Sequence, residues 1–366
     1  MLLIIAIASV LLYAAFMFFV FARTKVKHIA GSQSVPNVSI IIPCRNEENT
    51  IAHCLNSIAA QSLAADYYEI IVVNDDSNDE TLKKLNSLHS TVKFKVINSQ
   101  LPGKKSAIEA GIQQAQFDII YTVDADCTLH PQCLETMVND FHNNQFKMIC
   151  GLVNFTEGNG LFGTLQQTES AAIVGISAAM LNSGLPATCN GANLMFSKQS
   201  FYESGGYSGH KHLATGDDDL LMHEFYKRFG NKVRYCFHPF ATVYTAPAET
   251  FLGFLKQRSR WLTKSNQYRL PWNNVLQLMV SLHLIAFYFL LIFLLISFSW
   301  GTLFIICVKY LSDFLVAWPL KKVLKFNTLA ILIIPFYQMY IGVVLLYALT
   351  GQTDWKGRRS VLSDFK

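Results

Sequence analysis

One run constrains this chain more than any other: Phe117-Asp118-Ile119-Ile120-Tyr121-Thr122-Val123-Asp124-Ala125-Asp126. Its apolar, β-branched and aromatic part predicts a strand buried on both faces, as in a parallel sheet. It ends in two carboxylates one residue apart. Open parallel sheets bind ligands outside the carboxyl ends of their strands, and residues two apart on a strand point to the same side. Asp124 and Asp126 are therefore expected to meet a cation and a substrate together.

The preceding sequence repeats the pattern. Residues 38–42, 69–73 and 94–97 read as strands, and residues 48–60, 79–88 and 104–115 as helices between them. Pro131 opens a further helix to about residue 141, since the first helical turn tolerates proline. This alternation implies right-handed βαβ units and a mostly parallel sheet. Beyond residue 155 it loosens. Residues 161–181 form a long apolar helix, placed either on the sheet or against a membrane. Cys189-Asn190-Gly191-Ala192-Asn193 is a small-residue loop that lets backbone approach a ligand. Thr215-Gly216-Asp217-Asp218-Asp219 leads into a helix to about residue 228, and residues 233–236 into a short strand.

The chain is 51% hydrophobic and 15% charged, with mean hydropathy +0.27, which excludes an ordinary soluble protein. Residues 1–21 are long and apolar enough to cross a bilayer. They lack a basic leader region and a small-residue cleavage site, so they read as a retained anchor. Arg23, Lys25 and Lys27 then place the far end in the cytoplasm. Residues 275–297, 301–319 and 328–350 are three further span candidates. Lys321, Lys322 and Lys325 mark a cytoplasmic loop. A third crossing puts Trp355-Lys356-Gly357-Arg358-Arg359 outside, against the positive-inside rule, unless Pro335 marks a broken or re-entrant segment. Residues 250–268 interleave aromatic and basic side chains, Lys264 among them, as an interfacial helix does. Net charge is only +5 with no long basic block, so no nucleic-acid partner is expected. The eight cysteines form no C-x-x-C and read as reduced, buried thiols.

Polar clusters end three strands: Pro43-Cys44-Arg45-Asn46-Glu47, Asn74-Asp75-Asp76-Ser77 and Asp124-Ala125-Asp126. Together they would line one crevice of a doubly wound sheet. No G-x-G-x-x-G follows the first strand and no P-loop is present, which disfavours dinucleotide and P-loop chemistry. An aspartate-lined crevice suits Mg2+ shared with a diphosphate. Lys104 and Lys105 would add positive charge there, or are solvated surface lysines. Asp217-Asp218-Asp219 exceeds what helix capping needs; crowded carboxylates raise one another's pKa, as a general base requires. Gln257-Arg258-Ser259-Arg260-Trp261 offers a guanidinium for phosphate and an indole for stacking, although its composition also fits a membrane-interface belt.

In this order, these signatures resemble the membrane-bound family 2 glycosyltransferases of GT-A fold, the processive polysaccharide synthase and ceramide glucosyltransferase-like group. The resemblance covers about residues 38–264. It implies an α/β, Rossmann-like, mostly parallel sheet with N-terminal and C-terminal transmembrane helices. It also implies an inverting, metal-dependent transfer from a nucleotide sugar, such as a UDP-sugar, to a lipid or growing polysaccharide. Asp75 would contact the base, and Asp124 and Asp126 would hold the diphosphate with Mg2+ or Mn2+. Asp218 would deprotonate the acceptor, with Asp217 beside it. Pro43, Glu47, Lys104, Gly191 and Asn193 would complete the substrate site. Gln257, Arg260 and Trp261 would bind diphosphate and acceptor at the membrane. Where many members read Asp-Asp-Gly-Ser, this chain has Asn74-Asp75-Asp76-Ser77, which leaves Asp76 without an assigned role; the extra Asp219 likewise blurs the base. The implied layout is an anchor at 1–22, a transferase domain at 36–248, an interface segment at 249–272, membrane helices at 273–350 and a basic tail at 351–366. The implied place is the inner membrane, multi-pass, with the catalytic domain cytoplasmic. A nucleotidyltransferase and an inactive nucleotide-sugar-binding membrane protein are the competing readings.

Overall fold

The structure, a computed structural model, describes residues 1–26, 29–31, 35–88, 93–158, 160–211, 213, 216–265, 271–337, 339–349, 353–355 and 358–360. Lys27, linker residues 32–34, Thr215, the side chain of Lys264, Lys356 and Gly357 lie outside that description.

Helix α1 (Leu2–Arg23) leads to β1 (Val38–Cys44), α2 (Ile51–Ala59), β2 (Tyr68–Asn74), α3 (Thr81–Leu88), β3 (Lys95–Asn98), α4 (Lys104–Gln114) and β4 (Ile119–Thr122). Next come β5 (Thr128–Leu129), α5 (Cys133–Asn143), β6 (Met148–Cys150), β7 (Leu152–Phe155), α6 (Gly160–Asn182), β8 (Leu194–Ser197) and α7 (Lys198–Glu203). The chain continues through α8 (Asp219–Phe229), β9 (Val233–Tyr235), β10 (Thr242–Thr245), α9 (Phe251–Ser265), α10 (Pro271–Ile296) and α11 (Trp300–Lys321). It ends with α12 (Ile334–Tyr337), α13 (Tyr340–Leu349) and a hairpin of β11 (Thr353–Trp355) and β12 (Arg358–Ser360).

Seven strands form one sheet in the order β3-β2-β1-β4-β8-β6-β9. All pairs are parallel except those β8 makes with β4 and β6. The fold is therefore α/β with a mostly parallel sheet. Strand order reverses between β1 and β4, where a crevice is expected. Side chains alternate across the sheet as the strand period requires. Ile40, Ile42, Ile70 and Val72 pack toward Ile51, Leu55 and Ile58 of α2 and Met137 of α5. Ile41, Ile71 and Val73 pack toward Ile108 and Ile112 of α4. Met17 and Val20 of α1 and Leu320 of α11 belong to that second layer, so the sheet domain sits directly on the apolar helices. A small second sheet, β5-β10-β7, flanks the first.

Strand β4 is shorter than its apolar run. Asp118 lies before it and binds the start of α7, accepting from Ser197 Oγ at 2.8 Å and Gln199 N at 3.0 Å. Asp124 and Asp126 lie beyond its end in a turn, closed by Cys127 N to Asp124 O at 3.1 Å. Helix α6 packs on the sheet layer and on α11 together: a Cβ on Gly175 would come within 2.4 Å of Leu320.

Helices α1, α10 and α11 are long and apolar enough to cross a membrane. The last expected span is not one helix. Thr328–Leu332 is a 3-10 turn, followed by the short α12 and α13. Pro335 has no N–H to continue a ladder, and its carbonyl accepts from Tyr288 of α10 instead. All eight cysteines are free; seven are buried, and Cys307 on α11 is exposed.

Candidate active site

The strand ends converge as the parallel topology requires. Pro43 and Glu47 after β1, Asp75 after β2, Asp124 and Asp126 after β4, Lys104 at the start of α4, and Asp217 and Asp218 before α8 all line one cleft of about 560 Å³. Gln257, Arg260 and Trp261 of α9 line the same cleft.

The β1 and β2 ends are wired together. Arg45 Nη1 donates to Asp75 O at 2.7 Å and Asp76 O at 2.6 Å. Asp75 is buried, and its Oδ1 accepts from Gly103 N at 2.9 Å, which ties the α4 entry to the cleft. Asp76 has φ 57°, and its side chain is 87% exposed, paired with Arg45 at 3.3 Å. Neighbouring aspartates thus do different work, one inside the cleft and one in the turn.

Lys104 is the cation at the centre. Its Nζ lies 2.8 Å from Asp124 Oδ1 and 2.8 Å from Asp217 Oδ2. Burial works against its charge, but Asp124 and Asp217 prevail and hold its pKa well above the ordinary lysine value. Asp124 is raised by burial and by Asp126 and Asp217, against the pull of Lys104. Burial lowers the Arg260 pKa, and Asp217, Asp124, Asp218 and Asp126 oppose that shift, which places the guanidinium in the field of all four carboxylates. Lys105, in contrast, is buried and donates to His210 O at 2.6 Å and Leu213 O at 3.0 Å, so it braces a loop.

The acidic run at α8 does not act as one crowded cluster. Asp217 pairs with Lys104. Asp218 caps its own helix, accepting from Asp219 N at 2.7 Å, and its Oδ2 lies 3.4 Å from Gly191 N. Asp219 is fully buried and accepts from Thr188 Oγ1 and Cys189 N, each at 2.7 Å. Its carboxylate fastens the 188–189 loop to α8.

Gly191 and Asn193 behave differently from each other. Gly191 is pressed against the acidic site: a Cβ there would lie 2.6 Å from Asp217 Oδ2 and 3.3 Å from Lys104 Nζ. The Asn193 side chain is not brought to the cleft. It is fully buried, accepting from Tyr121 OH at 2.9 Å and donating to Leu152 O at 2.9 Å and Ala241 O at 3.1 Å. The expected ligand contact is corrected to a core bracket joining β4, β7 and the β10 entry. Asn193→Leu is expected to cost about 3 kcal/mol of stability, because it strands buried partners. Thermal melting checks this, and an unchanged melting temperature would refute the bracket.

Two features of the site escape sequence reading. One wall is built from α6, where Ser170, Ile173, Val174 and Ser177 face the cleft. Their i, i+3, i+4, i+7 spacing was the available signal. The other is Arg258, which turns away from the cleft to a buried pair with Glu169 at 2.6 Å. Among the described residues no group of three or more His, Cys, Asp or Glu gathers as a metal site.

Residues 39–205 match the family model of Glycosyl transferase family 2. The chain is 27% identical over 260 residues to a poly-β-1,6-N-acetyl-D-glucosamine synthase of Staphylococcus epidermidis, covering 70% of this chain and 61% of that protein. It is 26% identical over 230 residues to the synthase of the same name from Staphylococcus aureus, covering 61% and 53%. The chain thus spans less than two thirds of the length of these relatives. Among solved structures, a mannosyltransferase from Pyrobaculum calidifontis, in complex with GDP-Man and Mn2+, superposes with TM-score 0.56 at 15% identity over 95% of each chain. That likeness shows the fold, which is GT-A-like. Over residues 39–205, this chain carries a glycosyl transferase family 2 domain.

Proposed function

We propose that this protein is an inverting, membrane-bound glycosyltransferase that moves a sugar from a nucleoside diphosphate to a glycan or lipid acceptor. The observation that carries the reading is the single cleft in which Asp75, Lys104, Asp124, Asp126, Asp218 and Arg260 meet. The names of its relatives make UDP-N-acetylglucosamine the first donor to try and a growing N-acetylglucosamine chain the first acceptor. In this reading α1, α10 and α11 lie in the membrane and the sheet domain on the cytoplasmic side, a placement supported by Arg23 and Lys25 after α1 and Lys321 and Lys322 after α11.

Each residue receives a role from its place. Asp75 holds the nucleoside end beside the 102–103 turn. Lys104 and Arg260 bring positive charge to the diphosphate. Asp218 accepts the proton of the attacking acceptor hydroxyl, with Asp217 held beside it by Lys104. Trp261 and Gln257 bound the acceptor end. The acceptor oxygen attacks the anomeric carbon opposite the diphosphate, so the C–O bond to phosphate breaks as the new one forms. The transition state is oxocarbenium-like, as in glycoside hydrolysis.

Asp124 and Asp126 fit a divalent cation. Asp124 has drawn a cationic Lys104 to itself, Asp126 is exposed at the cleft, and both offer only oxygen. Mg2+ or Mn2+ takes one or two carboxylates and completes its shell from phosphate and water. When bound, such an ion neutralises charge on the leaving diphosphate.

The test is incubation of the purified full chain with nucleotide sugars. Nucleoside diphosphate release with sugar on an acceptor supports the reading; pyrophosphate release indicates a nucleotidyltransferase, and binding without turnover an inactive protein. Chelation with EDTA is expected to lower transfer at least ~100-fold, with recovery on adding Mn2+. Full activity in EDTA would remove the metal from the reading.

A further inference from the structure

The cleft residues of α9 lie on one side of the helix, and Arg258 on another. Arg258 and Glu169 are 4% and 5% exposed, and Nη2 meets Oε2 at 2.6 Å. Above this pair, the Arg258 guanidinium centre sits 4.1 Å from the Trp261 ring and 4.9 Å from the Phe254 ring. Glu169 collects two more donors: Tyr340 OH on one oxygen, and Tyr337 OH on the other at 3.4 Å. One carboxylate therefore joins four helices: α6, α9, α12 and α13. Ser170, its neighbour on α6, and Gln257, the neighbour of Arg258 on α9, both line the cleft.

We propose that Glu169 is a positioning residue for the acceptor end of the cleft, acting through Arg258 to fix the register of α9 and the plane of Trp261. A buried ion pair is a poor source of net stability, because desolvation offsets its attraction. Its value lies in geometry. The guanidinium is held by Glu169 and its centre sits over the indole ring, 4.1 Å from the ring centroid, so a displacement of either helix moves the ring. Tyr337 and Tyr340 come from the segment that breaks instead of spanning, so the membrane-side chain and the acceptor end share this carboxylate. The activity readout rests on the glycosyl-transfer reading given above.

The double variant Glu169→Gln/Arg258→Met separates positioning from folding. Removing either partner alone strands a buried charge, whereas removing both leaves none. The full chain in nanodiscs receives UDP-N-acetylglucosamine and Mn2+, and consumed sugar is divided into transferred and free. The expected result is a wild-type melting temperature, donor affinity within about twofold, and at least ~10-fold less transfer relative to hydrolysis. Wild-type partition in a folded double variant would overturn the proposal. A second variant, Tyr340→Phe, touches neither Trp261 nor the cleft. It is expected to shift Trp261 emission, isolated as the difference from the same protein carrying Trp261→Phe. If the wild type consumes no nucleotide sugar, the functional reading fails and this emission decides: an unshifted spectrum overturns the positioning role.

Discussion

Asp218→Asn is expected to lower sugar transfer by about 10²–10⁴-fold, the range that loss of a general base gives. Nucleotide binding should stay within about twofold of wild type, since the change touches the acceptor side only. The structure makes this substitution clean. Asp218 caps α8 through Asp219 N at 2.7 Å, and asparagine is as good a cap as aspartate. The helix therefore keeps its start, and melting should not change. What disappears is a proton acceptor. The N–H groups of Asp219 and Gly191 both point at the carboxylate. These two contacts hold the carboxylate oxygens in place at the start of α8. Single-turnover transfer and calorimetric nucleotide binding on the same preparation check both halves. Near-normal transfer would move the base elsewhere.

The distinction between Asp218 and its neighbours shows where sequence reading ends. The first four strands and the placement of three polar clusters at strand ends were legible, because a parallel sheet buried on both faces leaves apolar runs such as Ile40-Ile41-Ile42; the order in the sheet and the short strands β5 to β8 and β10 were not. The crevice followed from topology alone. Which of several adjacent polar residues faces it did not. Asp75 and Asp76, Lys104 and Lys105, and Asp218 and Asp219 are each one residue apart, and in each pair one member is tied to the scaffold. The scaffold member is chosen by a distant partner: Arg45 for Asp76, the 210 and 213 carbonyls for Lys105, and Thr188 for Asp219. No local spacing encodes such partners. Asn193 fails for the same reason, since its amide is claimed by Tyr121 and by two carbonyls far along the chain. The break at residues 328–349 was foreshadowed by Pro335, but hydropathy alone could not choose between a broken segment and a crossing.

Lys104→Met is expected to reduce kcat/KM for the donor by about 10²–10³-fold, as loss of a preorganised charge at a developing anion does. The reason is the position of the ammonium between Asp124 and Asp217, 2.8 Å from each. On the proposed roles, Lys104 joins the diphosphate side of the cleft to the acceptor side. Without it, two partly buried carboxylates face each other across the space it filled, and like charges at that range resist joint ionisation. Two consequences follow with opposite signs. Transfer falls, because the cation beside the leaving diphosphate is gone and Asp217 no longer has a fixed place beside Asp218. Mn2+ binding in the absence of nucleotide becomes tighter, because Asp124 is released from a competing cation. A variant that is merely unfolded would lose both properties, and a surface lysine would change neither. Calorimetric Mn2+ titration alongside donor kinetics separates the three, and transfer within about threefold of wild type would remove Lys104 from the site. The opposite signs follow if one lysine serves both as counter-ion to Asp124, the proposed metal ligand, and as tether for Asp217.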